Sequence, residues 1–428
     1  MPDAFFKEKE SHIGRLILPL LLALLLRTAW AATIEAVPIS DSHAYDSFAR
    51  NIVEFGVYGW TANEPFAFWP PGTSFIYATV YKLFGFNFHY LVVLNIVLSC
   101  ALILTTARVA ARFFGSAVGI IAAYVLAIWP TMIMFTTILA SELPFIFLSV
   151  LALDSWSSRS LQPRMRGLVS GFCLGAAALV RPLALALPFV YGLALSFGHD
   201  ALFRSRVLMQ VKIGTICLIV MACLISPWTY RNYQLYKALV LVSTNGGTTL
   251  WMGNSPGTEG GYRDIPDRLS GLSDYQQSKL LGDEAKRYIF EDFSGFLLRS
   301  ARKAVQLFNN ESIGVYWNVS GIQNRFGENG VVVLKRITQI SWALILLFCG
   351  LGFLDLMFSR KDALLSPFSI SVVFYTLVHS IIVSQDRYHL EFAPQIATFA
   401  ALGLICFYRS TKAVRVRLLS HASEKPLG

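Results

Sequence analysis

IGRLILPLLLALLLRTAWAATIEAVPISDSHAYD, residues 13–46, joins an apolar run to an acidic helix start across a short connection. The run at 13–33 carries only Arg15 and Arg27 as charges, and it matches the roughly 20 apolar residues that a bilayer crossing takes. It is longer than the roughly 7–15 residues of a signal-peptide core, and further apolar runs follow it, so it reads as a retained anchor. Asp41 then stands at the membrane boundary. An ionised side chain loses solvation there, and its presence needs a structural or a functional reason.

The remainder of the chain extends the pattern. Of 428 residues, 55% are hydrophobic and 14% charged, with a mean hydropathy of +0.54, whereas a soluble domain carries roughly 25% charged residues. Apolar runs at 13–33, 90–109, 117–136, 138–153, 168–179, 183–197, 213–229, 332–358, 364–383 and 392–408 predict about ten transmembrane helices. The fold class expected is an all-α polytopic membrane protein, with 1–428 as one integral membrane domain. The runs at 168–179 and 183–197 are short and flank Arg181-Pro182, where both residues oppose an uninterrupted helix.

The net charge of +10 would suggest nucleic acid in a soluble chain. Here the basic residues follow the spans instead: Lys7, Lys9 and Arg15; Arg108 and Arg112; Arg159, Arg164 and Arg166; Arg204, Arg206 and Lys212; Arg360 and Lys361; then Arg409, Lys412, Arg415 and Arg417. Placed in the cytoplasm, these clusters put both termini inside. The basic excess is topology, and no nucleic-acid partner is expected. The six cysteines lie in apolar runs without metal-ligand spacing and read as small buried hydrophobes.

Two long external segments remain. In the first, 34–89, Tyr45, Phe48, Ile52 and Phe55 recur at helical spacing, with Asp46, Arg50 and Glu54 on the other face. That pattern predicts an interfacial helix, and 73–84 predicts a second one, too short to cross. The second segment, 230–330, opens with the turn-rich STNGGTTLWMGNSPGTEGGY and continues into helical stretches at 274–292 and 296–308. Walker, GxGxxG, HExxH and GxSxG patterns do not stand out. Nor do the paired broken segments of inverted-repeat transporters.

Asp41 has two readings. As a helix N-cap it accepts backbone N–H bonds, a task Ser40 or Ser42 performs equally well. As a general base it takes a proton from an acceptor hydroxyl beside the positive end of a short helix. Glu142, between the third and fourth runs, is either solvated at a hairpin or a second acid at the same site. Arg181, Arg231 and Arg387 defy the inside-positive trend, and Lys82 lies in the second interfacial helix. Singly, such residues snorkel to headgroups; together they suit a phosphate clamp, because guanidinium matches phosphate oxygens in pairs. His43 and His379 carry little weight. Trp69, Trp228, Trp251 and Trp317 fit an aromatic belt as well as they fit sugar stacking.

The ordered set of motifs is similar to the GT-C superfamily of membrane glycosyltransferases. The nearest likeness is to bacterial relatives of the dolichyl-phosphate-mannose protein mannosyltransferases and of the lipid A aminoarabinose transferase. The landmarks are Asp41 with Tyr45, NIVEFGVYGW, FWPPGTSFIYATVYKLFG, SEL at Ser141, GAAALVRP ending at Pro182, SPWTYRNYQLYKALVLVSTNGGTTLWMGN, and DRYHLEFAP. The resemblance implies a sugar donor on polyprenyl phosphate, and an acceptor glycan, lipid or protein. It also implies a bacterial inner (cytoplasmic) membrane location with the active site facing the periplasm. Carried over, Asp41 and Glu142 become the catalytic candidates, and Tyr45, Lys82, Arg181, Arg231, Arg387 and Tyr388 the donor-phosphate candidates. Relatives carry Asp where Glu142 stands, and many have a large external C-terminal domain where this chain ends soon after its last span. A divalent metal ion at the two carboxylates stays open. Rival readings are a polymerase or ligase of lipid-linked glycans, and a transporter or flippase of lipid-linked sugars.

Overall fold

The computed structural model describes the backbone of residues 3–197, 203–360 and 363–423. It describes side chains over 14–197, 203–360 and 363–412, so Lys7, Lys9, Lys361, Arg415 and Arg417 lie outside the described residues. The helices in chain order are α1 Asp3–Thr33, α2 Asp41–Phe55, α3 Gly72–Phe84, α4 Phe88–Phe114, α5 Ser116–Ile128, α6 Pro130–Met134, α7 Glu142–Ser157, α8 Pro163–Val180 and α9 Leu187–Ser196. They continue as α10 Phe203–Tyr236, α11 Gly246–Asn254, α12 Asp274–Glu291, α13 Phe293–Asn309, α14 Ile313–Tyr316, α15 Val319–Ser359, α16 Pro367–Ile381 and α17 Ala393–Ser423. A small antiparallel hairpin, β1 Gly59–Thr61 with β2 Glu64–Pro65, interrupts the otherwise all-α fold.

Each apolar run contains a helix, with 138–141 left non-helical before α7, yet the runs are unequal as membrane crossings. Among the described residues, five helices are long and apolar enough to span: α1, α4, α10, α15 and the segment that ends in α17. A sixth is α5 with its continuation, which bends by 61° at Trp129-Pro130. Proline has no N–H to continue the ladder. The carbonyls of Leu126 and Ala127 freed at the bend accept bonds of 3.0 Å each from Arg27, fully buried in α1. The charge in the first span thus caps a broken neighbour.

Close packing between spans comes from glycine. α15 and α17 meet where Gly352 faces Phe399 and Gly403 faces Phe348, each leaving no room for a Cβ. The other glycine that positions the site is Gly72. A Cβ there would lie 2.7 Å from the Leu179 backbone, so the FWPPG turn abuts the end of α8 just before Arg181. α8 stops at that residue, which is extended at φ −146° and ψ 123°, as Arg181-Pro182 predicts.

α2 and α3 are the two helices expected of the first external segment, and α12 and α13 match the helical stretches of the second. Three expectations change. α10 continues past 229 to Tyr236, so Arg231 is a helix residue. On the polar face of α2, Asp46 is buried, bonded to the Tyr81 hydroxyl and, at 2.9 Å, to Arg50, while Arg50 is half-buried and Glu54 exposed. Arg50 in turn lies over the rings of Tyr81, Phe86 and Phe88, which replace water for this pair. Among the cysteines, Cys223 is exposed on α10, not buried.

Candidate active site

Asp41 begins α2, following Ser40 at φ 53° and ψ −130°. That conformation costs a non-glycine residue about 1–3 kcal/mol, and such strain clusters at functional sites. Ser40 makes no side-chain cap bond. Asp41 does not cap with its carboxylate either: Oδ1 accepts from the Trp69 indole at 3.1 Å and Oδ2 from Arg387 at 2.7 Å. The capping explanation is thereby displaced. The side chain keeps 22% of its surface exposed, against 12% for Arg387.

From Asp41 the charges alternate inward. Arg387 lies 4.0 Å from Glu142. Glu142 accepts from Arg181, which bridges to Glu391, and Glu391 meets His379 Nε2 at 3.1 Å. Asp41 and Glu142 both stand at the first turn of their helices, where the backbone dipole favours negative charge. Ser141, just before Glu142, accepts from Arg181 Nε at 2.9 Å. Glu142 is 1% exposed, and its Oε2 has no partner.

Aromatic rings frame the cations. Arg387 lies 4.9 Å over Trp317 and 5.3 Å over Tyr388, and Arg181 lies 5.9 Å over Tyr388. His379 stacks on Tyr388 at 4.4 Å. Tyr45, one turn along α2 from Asp41, is buried. Burial and the Asp41 charge hold its phenol above the usual tyrosine range, so it stays a proton donor. Burial also tends to raise the carboxyl of Asp41, but Arg387 and the indole outweigh it and hold the group below the usual carboxylate range.

The segment DRYHLEF is the keystone. Asp386 accepts from the Ser312 N–H and hydroxyl at 2.9 Å each. His389 bonds the Leu307 carbonyl at 3.0 Å and Glu311 at 3.3 Å while stacking on Trp342. Glu311 also accepts from the Trp129 indole at 2.6 Å. The turn after α13 therefore grips both sides of Arg387 and fixes where it points.

Among the sequence candidates, the structure gathers Asp41, Tyr45, Glu142, Arg181, Arg387 and Tyr388. Two stand apart. Arg231 donates to the carbonyls of Phe66 at 2.9 Å and Tyr58 at 3.2 Å and covers Trp228, so it anchors the first external segment to α10. Lys82 is exposed beside a cavity of about 300 Å³ lined with Ile52, Val53, Phe75, Ala78 and Thr79. The sequence reading missed Glu391, gave His379 little weight, and named Trp69 only as belt or stacking. Glu391 was findable: it follows Arg387 by four residues and stands directly before the apolar run at 392–408.

The described residues offer no all-protein cage for the divalent metal ion that the sequence left open. Among the described residues no three His, Cys, Asp or Glu side chains converge. Asp41 and Glu142 each turn an oxygen to a guanidinium, so a divalent ion there would draw its remaining ligands from water or from a substrate phosphate. The chemistry derived below uses protein groups alone.

Residues 69–229 match the family model described as dolichyl-phosphate-mannose-protein mannosyltransferase. No curated protein matches the chain in sequence. Among solved structures, the archaeal oligosaccharyltransferase AglB of Archaeoglobus fulgidus, with an inhibitory peptide and a dolichol-phosphate, has a TM-score of 0.54 at 15% identity. The match covers 98% of this chain and 53% of that one. The same oligosaccharyltransferase with Zn and sulfate gives 0.53 at 15%, covering 96% and 51%. ArnT of Cupriavidus metallidurans bound to undecaprenyl phosphate gives 0.45 at 13%, covering 91% and 77%, too low to carry weight. The chain spans about half the length of the archaeal proteins it matches. The resemblance to GT-C membrane glycosyltransferases thus holds for the fold, which is that of a multi-pass membrane protein.

Proposed function

We propose that the chain transfers a sugar from a polyprenyl-phosphate donor to an acceptor hydroxyl at the outer face of a bacterial inner membrane, with inversion. One observation carries the reading: a partly exposed carboxylate, Asp41, begins a chain of charges that holds two arginines side by side. In this reading the ten helical segments are ten passes with both ends in the cytoplasm. That arrangement leaves α2, α3 and the α11–α14 region outside, and Arg108 and Arg112 inside.

The lipid explains the location. Each buried methylene of a polyprenyl tail is worth about 0.8 kcal/mol, so the tail stays in the bilayer and the site must meet its phosphate at the surface. Arg387, with Arg181 behind it, receives the phosphate, and Tyr388 spaces the two. Asp41 accepts the proton of the acceptor hydroxyl as its oxygen bonds the anomeric carbon. The bond from that carbon to the phosphate oxygen breaks, and the leaving phosphate keeps the electron pair against the arginines.

The ion pair with Arg387 makes Asp41 a weak base. A phosphate that engages Arg387 competes for the guanidinium, removes part of the stabilisation of the ionised carboxylate, and raises its basicity. Base strength then rises only when donor is present, which disfavours unproductive proton uptake.

Reconstituted protein given a polyprenyl-phosphate monosaccharide and a membrane extract of acceptors tests the reading. Transfer of the sugar with inverted configuration and release of polyprenyl phosphate supports it. Transfer of lipid-linked oligosaccharides alone would replace it with a ligase, and movement of the intact lipid-linked sugar across the bilayer with a flippase.

A further inference from the structure

The charge chain contains three carboxylates, Asp41, Glu142 and Glu391, but two guanidiniums, Arg181 and Arg387. One negative charge has no guanidinium to answer it, and Glu142 and Glu391 are each 1% exposed, out of reach of bulk water. The group placed to answer it is His379 on α16, itself 2% exposed, with Nε2 on the Glu391 oxygen that Arg181 leaves free. Its Nδ1 is buried without a partner.

The other groups around α16 do not supply that charge. From α13, Lys303 ends on the carbonyls of Ile381 at 3.0 Å and Ile382 at 2.7 Å, and so caps the helix. Asp386 is bound to Ser312, and Glu311 to His389 and Trp129. α9 offers only Tyr191, bonded to the Ser149 carbonyl. On α16 itself Tyr375 stacks on Phe392. Facing the imidazole directly are Glu391 and the Tyr388 ring, with Arg181 and Glu142 one step beyond.

We infer that His379 is a positioning residue whose proton sets how Arg181 is shared between Glu391 and Glu142. With the proton on His379, Glu391 has two cationic partners and Arg181 is held toward Glu142, beside the Arg387 site. Without it, Glu391 keeps Arg181 as its only cation and draws it inward, away from the position in which it supports Arg387. The site is thereby coupled to pH through a residue that touches neither substrate. The inference deepens the glycosyl-transfer reading and rests on it only for its activity readout.

His379→Gln keeps an N–H donor for Glu391 but cannot carry charge. Wild-type kcat should fall by at least about tenfold as rising pH removes the His379 proton, because misplacing a supporting group in such a site costs up to about a hundredfold. In His379→Gln that step should vanish, leaving the rate at the low level on the alkaline side of the acid limb. Glu391→Gln, which removes the surplus negative charge, should also lose the step. A step of unchanged size and position in His379→Gln would overturn the inference. A second measurement needs no transfer: the imidazole resonance missing from His379→Gln should titrate in the wild-type protein and lose that titration in Glu391→Gln. An imidazole that stays in one protonation state throughout would overturn it equally. Failure of the wild-type protein to use any lipid-linked sugar would sink the transfer reading, while the resonance would still locate the proton.

Discussion

Glu142 and Asp154 lie at the two ends of the same helix, α7, and are handled in opposite ways. Asp154 sits at the C-terminal end, where the backbone dipole disfavours an anion. Both of its oxygens are taken, by Arg108 at 2.9 Å and Arg112 at 2.7 Å, one turn apart on α4. That network is closed, and its outer member, Arg108, has 56% of its side chain exposed. Glu142 sits at the favourable N-terminal end, yet it shares Arg181 with a second carboxylate and leaves one oxygen without a partner. The closed end ties two helices together. The open end retains polar atoms and cations that a ligand can engage.

Predictions that break or sharpen this contrast fall in order of size. Asp41→Asn should insert normally and lose transfer by about 100-fold or more, the usual share of a general base; turnover measured in vesicles checks it. Arg387→Lys keeps charge but not the paired geometry for phosphate, and should lower kcat/KM for the lipid-linked donor by about 10–100-fold. At the closed end, Asp154→Asn should leave transfer within about threefold. It should lower resistance to denaturant by about 1–3 kcal/mol, a loss kept small by the exposure of Arg108. Trp69→Phe removes a bond to the ionised form of Asp41, which raises its pKa. The acid limb of the pH–rate profile should therefore move to higher pH, with the rest of the profile little changed.

The sequence disclosed the contrast unevenly. Helix positions, both interfacial helices, and the break at Arg181 were legible because apolar length and proline act locally. The pairing of Asp41 with Arg387 joins two ends of the chain, and no periodicity encodes it; the hints were a carboxylate at the membrane boundary and an arginine that departs from the inside-positive pattern. The same hint misled for Arg231, which departs from the pattern as strongly. Its guanidinium is spent on the carbonyls of Tyr58 and Phe66, backbone acceptors that side-chain identity cannot reveal. Asp46 was misread for a related reason: its helix face looked polar, but Tyr81 on α3 supplies a hydroxyl that makes burial tolerable. His379 gained weight only when the carboxylates were seen to outnumber the arginines.

The central claim is that the open end of α7, and not the closed one, meets a lipid phosphate. A structure of the protein with polyprenyl phosphate in a lipid nanodisc tests it most directly. The account predicts phosphate density within hydrogen-bond distance of Arg387, with the Asp41 carboxylate released from that guanidinium. Phosphate bound at Lys82, or at Arg108 and Arg112, with the Asp41–Arg387 pair intact, would contradict it.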